Sequence, residues 1–246
     1  MPCKCRFLEE DMSENNNFWR IGVLSGNQLK VIALIAMTCD HVGKELLPEY
    51  KWLQIIGRLA FPIFAYMIAE GCRHTRNRRK HLLNVAGLAL LCQVVYYVAE
   101  GSLYQCILVT FSLSISMIYV MDLAMKKRTA GTWLMAAVIY VAVYWVSVML
   151  PVVLTGTDFA VDYGIWGILL PVFVYFAPEP FRVPVTAVLL VPLSLELGVI
   201  QWYSFGAVVL LALYSGKRGN ANIKNLFFTY YPLHLVCIYL LGLILY

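Results

Sequence analysis

Charge is what this sequence has least of. Only 13% of its 246 residues are Asp, Glu, Lys or Arg, whereas 61% are hydrophobic, and a water-solvated coat needs roughly 25% charged residues. That scarcity excludes a soluble globular surface and places the chain in lipid. A nucleic-acid binder is excluded with it, because the net charge of +5 is explained by where the basic residues sit. The seven cysteines are an odd number, and Cys39, Cys92 and Cys237 lie within apolar runs, so a scaffold of paired extracytoplasmic disulfides is excluded too. Residues 1–27 read as a polar cytosolic tail. They have no apolar h-region and carry Glu9, Glu10, Asp11 and Glu14, which argues against a cleavable signal peptide. Cys3 and Cys5 form a CxC whose plainer reading is two thiols near a chain end, not a lipidation or metal site. A fixed-period or inverted repeat is lacking, as is a glycine-rich phosphate loop, and no metal is expected.

What is present is a series of apolar runs. Hydrocarbon about 30 Å thick takes about 20 helical residues to cross, and the runs fall near 28–47, 52–71, 81–99, 103–125, 132–154, 163–177, 183–198, 199–215 and 226–246. The expected fold is all-α, a polytopic membrane helix bundle of about nine spans forming one domain over 28–246. Pro184, Pro192 and Gly198 interrupt the seventh and eighth runs and leave room for a broken or re-entrant segment. Lys and Arg are retained on the cytosolic side. With the amino terminus inside and the carboxyl terminus outside, all but Lys44, Lys51 and Arg58 of the 19 basic residues fall in cytosolic segments.

A charge near the bilayer centre costs at least about 2.5–3.5 kcal/mol on insertion scales, so an ionisable residue within a span is a functional candidate by default. Asp40, His41, Arg58, Glu70, Glu196 and His234 qualify. At 1.5 Å per residue, His41 and Glu196 lie about 20 Å up their spans and Arg58 about 9 Å below the outer edge, which puts them in one layer with Asp40. The plainer reading is that Arg58 pairs with Asp40 or Glu196 and pins two helices. An imidazole at the centre of such a layer instead suits proton transfer near neutral pH. Glu70 lies near the cytosolic end of its span, where snorkelling or pairing with Arg73 is an equal alternative. His234 follows Tyr230, Tyr231 and Pro232, and a lone histidine in a span is also a common helix–helix contact.

Lys30 and His41 are eleven residues apart, about 20° from whole turns of a helix, and so share one stripe about 16 Å apart along the axis. A cation at the cytosolic mouth below a buried imidazole suits a long ligand with an anionic end and a reactive end. Coenzyme A has that shape, and the loop containing Arg73, Arg76, Arg78, Arg79 and Lys80 has the guanidinium forks that match phosphate oxygens. The same loop would also serve simply to set topology or to touch anionic lipid.

Leu29 through Gly43 (LKVIALIAMTCDHVG), Gly57 through Gly71 (GRLAFPIFAYMIAEG), the HTRNRRK run from His74, Asp162-Tyr163-Gly164 and the YYPLHL that begins at Tyr230 resemble the TraX family of integral membrane proteins. The resemblance runs from the first span to the last. It implies acetylation of a pilin amino terminus, and the spacing of Lys30 and His41 is similar to that of the wider transmembrane acyltransferase group, which often has Arg in place of this Lys. It further implies His41 as the catalytic imidazole and general base, Asp40 and Arg58 as its partners, and Lys30 toward the donor, with Glu70, Tyr231 and His234 as further site candidates. The expected activity is transfer of an acetyl group from cytosolic acetyl-CoA to a peptide or glycan acceptor at or beyond the membrane. A small proton-coupled transporter and a non-catalytic membrane assembly protein are the rivals.

Overall fold

In a computed structural model of the protein, residues 22–220 and 224–245 are described. Most of the polar tail, with Cys3 and Cys5, lies outside the described residues. Eleven α-helices follow in order: α1 Gly26–Glu45, α2 Lys51–Gly57, α3 Ala60–His74, α4 Arg78–Glu100, α5 Ile107–Lys127, α6 Ala130–Tyr144, α7 Leu150–Val153, α8 Gly164–Phe176, α9 Arg182–Leu197, α10 Gly206–Ala212 and α11 Lys224–Leu245. Among the described residues the only β pairing is three isolated bridges. The fold is the all-α membrane bundle expected from composition.

The helix boundaries have local causes. Ser25 and Gln28 close a reciprocal capping box at the start of α1, which satisfies two of the backbone N–H groups a helix leaves open. Asn77 accepts from the Lys80 N–H to start α4, and Gly101 ends that helix with a φ of 66°, a left-handed conformation that costs glycine nothing. Pro62 has no N–H to return to the Arg58 carbonyl, and the stretch Lys51–His74 is divided there into α2 and α3. Pro151 similarly follows a π turn at Trp145–Met149 between α6 and α7, the usual accommodation of a missing donor within a helix.

Among the described residues five stretches have the length and hydropathy to cross a membrane: Lys51–His74, Arg78–Glu100, Ile107–Lys127, Ala130–Val153 and Glu179–Leu197. Gly164–Phe176, Val199–Ala212 and Thr229–Ile244 are apolar but shorter. Gly26–Glu45 has the length and carries Lys30, Asp40, His41 and Lys44. The eighth expected run is not a regular span: after Gly198, at φ 91°, it is a 3-10 turn, Val199–Phe205, running into the short α10. In the most apolar 18 residues of Lys51–His74, 61% are buried in the protein, against 17% in those of Arg78–Glu100 and Ala130–Val153. α2–α3 thus form the central spine, with Ile63, Tyr66, Ile115, Ile168 and Leu190 packed without solvent access around it. α4 and α6 turn most of their apolar surface outward, as lipid-facing helices do.

Candidate active site

α1 crosses α2–α3 closely at Asp40. A Cβ at Gly57 would collide with the Asp40 side chain and its Cα, so glycine there is what lets the helices approach. Asp40 and Arg58 consequently meet as a buried ion pair through Oδ1 and Nη2. Lys44 Nζ reaches the other carboxylate oxygen at 2.7 Å. Arg58 Nη1 donates to Gln201 Oε1 at 3.3 Å, and Nε to the Gln54 carbonyl at 3.3 Å. Each charge has an opposite charge or a hydrogen-bond partner, as burial requires. Gln201 itself is fully buried, and its position inside an apolar run was the sequence signal for a role that the charged residues alone did not suggest.

The imidazole expected at the centre of this layer is not bonded to Asp40. His41 instead lies against His234 of α11, with ring centroids 5.2 Å apart and planes tilted by 59°. Thr38 Oγ and Tyr230 OH are 2.6 Å apart one turn below and fix the register of α1 against α11. His234 Nδ1 lies 3.0 Å from the Tyr230 carbonyl, and a carbonyl only accepts, so Nδ1 carries the proton and donates. That leaves His234 Nε2 as the lone-pair nitrogen; it is buried with no hydrogen-bond partner among the described residues. Tyr231, on the adjoining turn, packs edge-on against the same ring at 5.4 Å.

A cavity of about 710 Å³ runs from the basic end of the bundle toward this pair, within the 300–1,000 Å³ usual for small-molecule sites. Its mouth is lined by Asn27, Lys30, His74, Asn77, Lys80 and Arg218, and its walls by Leu34, Phe64, Met67 and Leu88. Met37, Phe111 and Tyr231 line it as well. Met37 is one helical turn before His41, and Tyr231 one turn before His234. Neither imidazole lines the cavity itself: His41 continues the stripe of α1 that begins at Lys30, and His234 is joined to the lining through the edge of Tyr231.

The other expected residues separate into groups. Of the basic loop, Lys80 alone among Arg73, Arg76, Arg78, Arg79 and Lys80 lines the cavity. Arg73 Nη2 donates to the Val174 carbonyl at 2.6 Å and to that of Tyr175, capping the carboxyl end of α8 where orphan carbonyls and the helix dipole favour a cation. Arg78 pairs with Asp122 at 2.5 Å and covers the Tyr119 ring, while Arg76 and Arg79 are exposed. Glu70 pairs with Arg182 at 3.0 Å, not with Arg73, and its residue also lines the cavity. Glu196 is exposed; its carboxylate oxygen lies 3.0 Å from where a Cβ on Gly164 would stand, apart from the Asp40–Arg58 pair. Arg218 was visible in the sequence as a loop cation, but only the fold brings it opposite Lys30. The loop that carries it is tied to α1 by Gly26 and Asn27 N–H bonds to the Lys217 and Arg218 carbonyls, at 2.8 and 2.9 Å.

These features define a multi-pass helical membrane protein with a buried polar layer and a cavity that has a basic mouth. A family model described as TraX protein matches residues 25–242, and the chain belongs to the TraX family. It is similar to the probable fimbrial assembly protein FimC, serogroup H1, of Dichelobacter nodosus, 36% identical over 89 residues, which are 35% of this chain and 34% of that protein. It is also similar to Protein TraX of Escherichia coli, 28% identical over 144 residues, 58% of this chain and 52% of the relative. A Protein TraX of Escherichia coli strain K12 is 31% identical over 111 residues, 44% of this chain and 45% of the relative. The chain thus spans from about a third to about half of the length of these curated relatives. No solved structure matches it.

Proposed function

We propose that the protein is a membrane-embedded acetyltransferase that moves an acetyl group from cytosolic acetyl-CoA to an amine or hydroxyl at or beyond the membrane. A pilin or other peptide amino terminus, or a surface glycan, would be the acceptor. The observation that carries this reading is the cavity. It joins three cations at its mouth, Lys30, Lys80 and Arg218, through apolar walls to Tyr231, whose ring packs against His234 of the imidazole pair. The mouth suits the phosphates of coenzyme A, the walls suit its extended arm, and the head would hold the thioester beside a general base. The positive-inside rule puts the basic mouth in the cytosol, where acetyl-CoA is made available. The polar layer then faces the opposite leaflet, from which an acceptor would approach. His41 would supply an imidazole of this site, and the Asp40–Arg58 pair would set α1 against α2–α3 beside it.

A second reading, a non-catalytic assembly protein, is favoured by the name of the Dichelobacter nodosus relative and by how completely the Asp40–Arg58 pair is satisfied. The two separate in one experiment. Purified protein in detergent is supplied with acetyl-labelled acetyl-CoA and a peptide with a free amino terminus, or a glycan. The enzyme reading expects label on the acceptor and donor binding weakened roughly tenfold in Lys30→Ala. Absence of both donor binding and transfer to amine, hydroxyl or water would remove it in favour of the assembly role.

A further inference from the structure

A general base works when a third group fixes its tautomer and aims its lone pair. His41 has no such group: Asp40 is taken by Arg58 and Lys44, and His41 makes no hydrogen bond among the described residues. His234 has one. Its Nδ1–H is held by the Tyr230 carbonyl 3.0 Å away, and its Nε2 is buried and unpartnered beside His41. A buried nitrogen with an unmet lone pair calls for an explanation beyond packing. The same carbonyl would also stabilise an imidazolium formed at this ring.

Resting on the acetyltransferase reading, we propose that His234, through Nε2, is the general base, and that His41 remains neutral and donates an N–H to the thioester oxygen. The acceptor nitrogen attacks the thioester carbonyl carbon, its proton passes to His234 Nε2, and the carbonyl becomes an oxyanion held by His41. As the tetrahedral intermediate collapses, the carbon–sulfur bond breaks and the departing thiolate takes the proton from His234. Both imidazoles end neutral, the acceptor carries the acetyl group, and the donor leaves as a free thiol. The division also avoids two adjacent cations, since only one imidazole is charged at any stage.

The test compares an ordinary peptide amine with hydroxylamine, a strong nucleophile that is already unprotonated at neutral pH and depends far less on a base. His234→Asn keeps an N–H at the Nδ1 position to satisfy the Tyr230 carbonyl and removes Nε2 with the rest of the ring. Its expected effect is a fall of about 10²-fold or more in amine acetylation, the low end of what general bases contribute, with hydroxylamine acetylation and donor affinity within a few-fold of the parent. His41→Asn is expected to lower both reactions, because an oxyanion forms in each. Donor affinity checks that each variant folds, and His234→Gln provides a second variant without the base. A His234→Asn protein that acetylates the peptide normally, or that loses both reactions equally while still binding donor, overturns the assignment. If the unaltered protein acetylates neither nucleophile, the acetyltransferase reading itself fails, a different result from either of these.

Discussion

Two polar pairs lie side by side in the interior, and they differ in what they leave unmet. Asp40 and Arg58 close on each other, with Lys44, the Gln201 amide oxygen and the Gln54 carbonyl taking further bonding capacity, so that what is left unmet there is the neighbouring Gln201 amide nitrogen and not a charged group. His41 and His234 are in ring contact without a hydrogen bond between them, and one nitrogen, His234 Nε2, has no partner. A satisfied ion pair in an apolar interior fixes how helices sit. An imidazole with an unpartnered nitrogen, packed against the Tyr231 that lines the cavity, has the capacity left for chemistry. Placing a charge within a span therefore does not by itself make it catalytic, since the two roles occur one residue apart on the same helix.

The comparison breaks most readily at Arg58. Arg58→Met would leave the Asp40 carboxylate with Lys44 alone and Gln201 without its guanidinium, and the cost expected for removing one partner of a buried pair is about 3–5 kcal/mol. Thermal unfolding in detergent measures it, and adding Asp40→Asn should recover part of the loss. A stable Arg58→Met protein that has lost only activity would move Arg58 from the clasp to the reaction. Gly57→Ala attacks the same crossing from the backbone side, because its methyl meets the Asp40 side chain and Cα. The expected loss is about 1–3 kcal/mol, as for other overpacked interiors, read from the same melting curves.

At the mouth the comparison becomes one between cations that line the cavity and cations that do not. Lys30→Ala and Arg218→Ala should each weaken donor binding roughly tenfold, about 1.4 kcal/mol, without lowering stability. Arg76→Ala and Arg79→Ala should leave the affinity within about twofold, since exposed charges contribute little. Arg73→Ala should do the reverse of Lys30→Ala and cost about 1 kcal/mol of stability through the lost cap of α8, with the donor affinity unchanged. Calorimetric titration of coenzyme A into each variant decides among these outcomes.

The smallest effect lies outside the membrane-spanning segments. Asp158 accepts from Ser102 Oγ at 2.5 Å and from the Leu103 N–H at 2.9 Å. Those hydrogen bonds hold its carboxyl below the ordinary 3.8, because they favour the ionised form. A group depressed on folding adds stability above its unfolded pKa and loses it as the pH falls through the folded value, so this loop contact should weaken only below 3.8. Ser102→Ala should raise the titration midpoint of Asp158 toward its ordinary value, as followed by carboxyl-carbon NMR.

Much of the fold was legible because the signal is hydropathy along one chain. Each of the nine apolar runs coincides with a helical stretch, and the interruption around Gly198 marked where one of them becomes a 3-10 turn. The Asp40–Arg58 pair was legible for the same reason, as charges in apolar runs have few places to go. The basic loop was less legible. That Arg73 caps α8, that Arg78 pairs with Asp122 and that Arg182 takes Glu70 depends on which helix ends meet, and positive charge in a loop looks the same whatever it touches. Gln201 meets Arg58, and the Arg218 carbonyl meets α1, only through contacts about 140 and 190 residues away along the chain, and spacing within one helix carries no information about them. Glu196, expected at the depth of Asp40, is exposed and lies against Gly164 instead, because depth along a helix leaves the rotation about its axis open.

The central claim is that the cavity holds an acetyl donor with its reactive end at the two imidazoles. The most direct measurement is a density map of the purified protein with coenzyme A bound. The account predicts phosphates among Lys30, Lys80 and Arg218, an extended arm along Leu34 and Met37, and the sulfur beside Tyr231 and His234. A nucleotide seated instead on the exposed Arg76 and Arg79, or a cavity filled by a lipid chain at saturating coenzyme A, would contradict it.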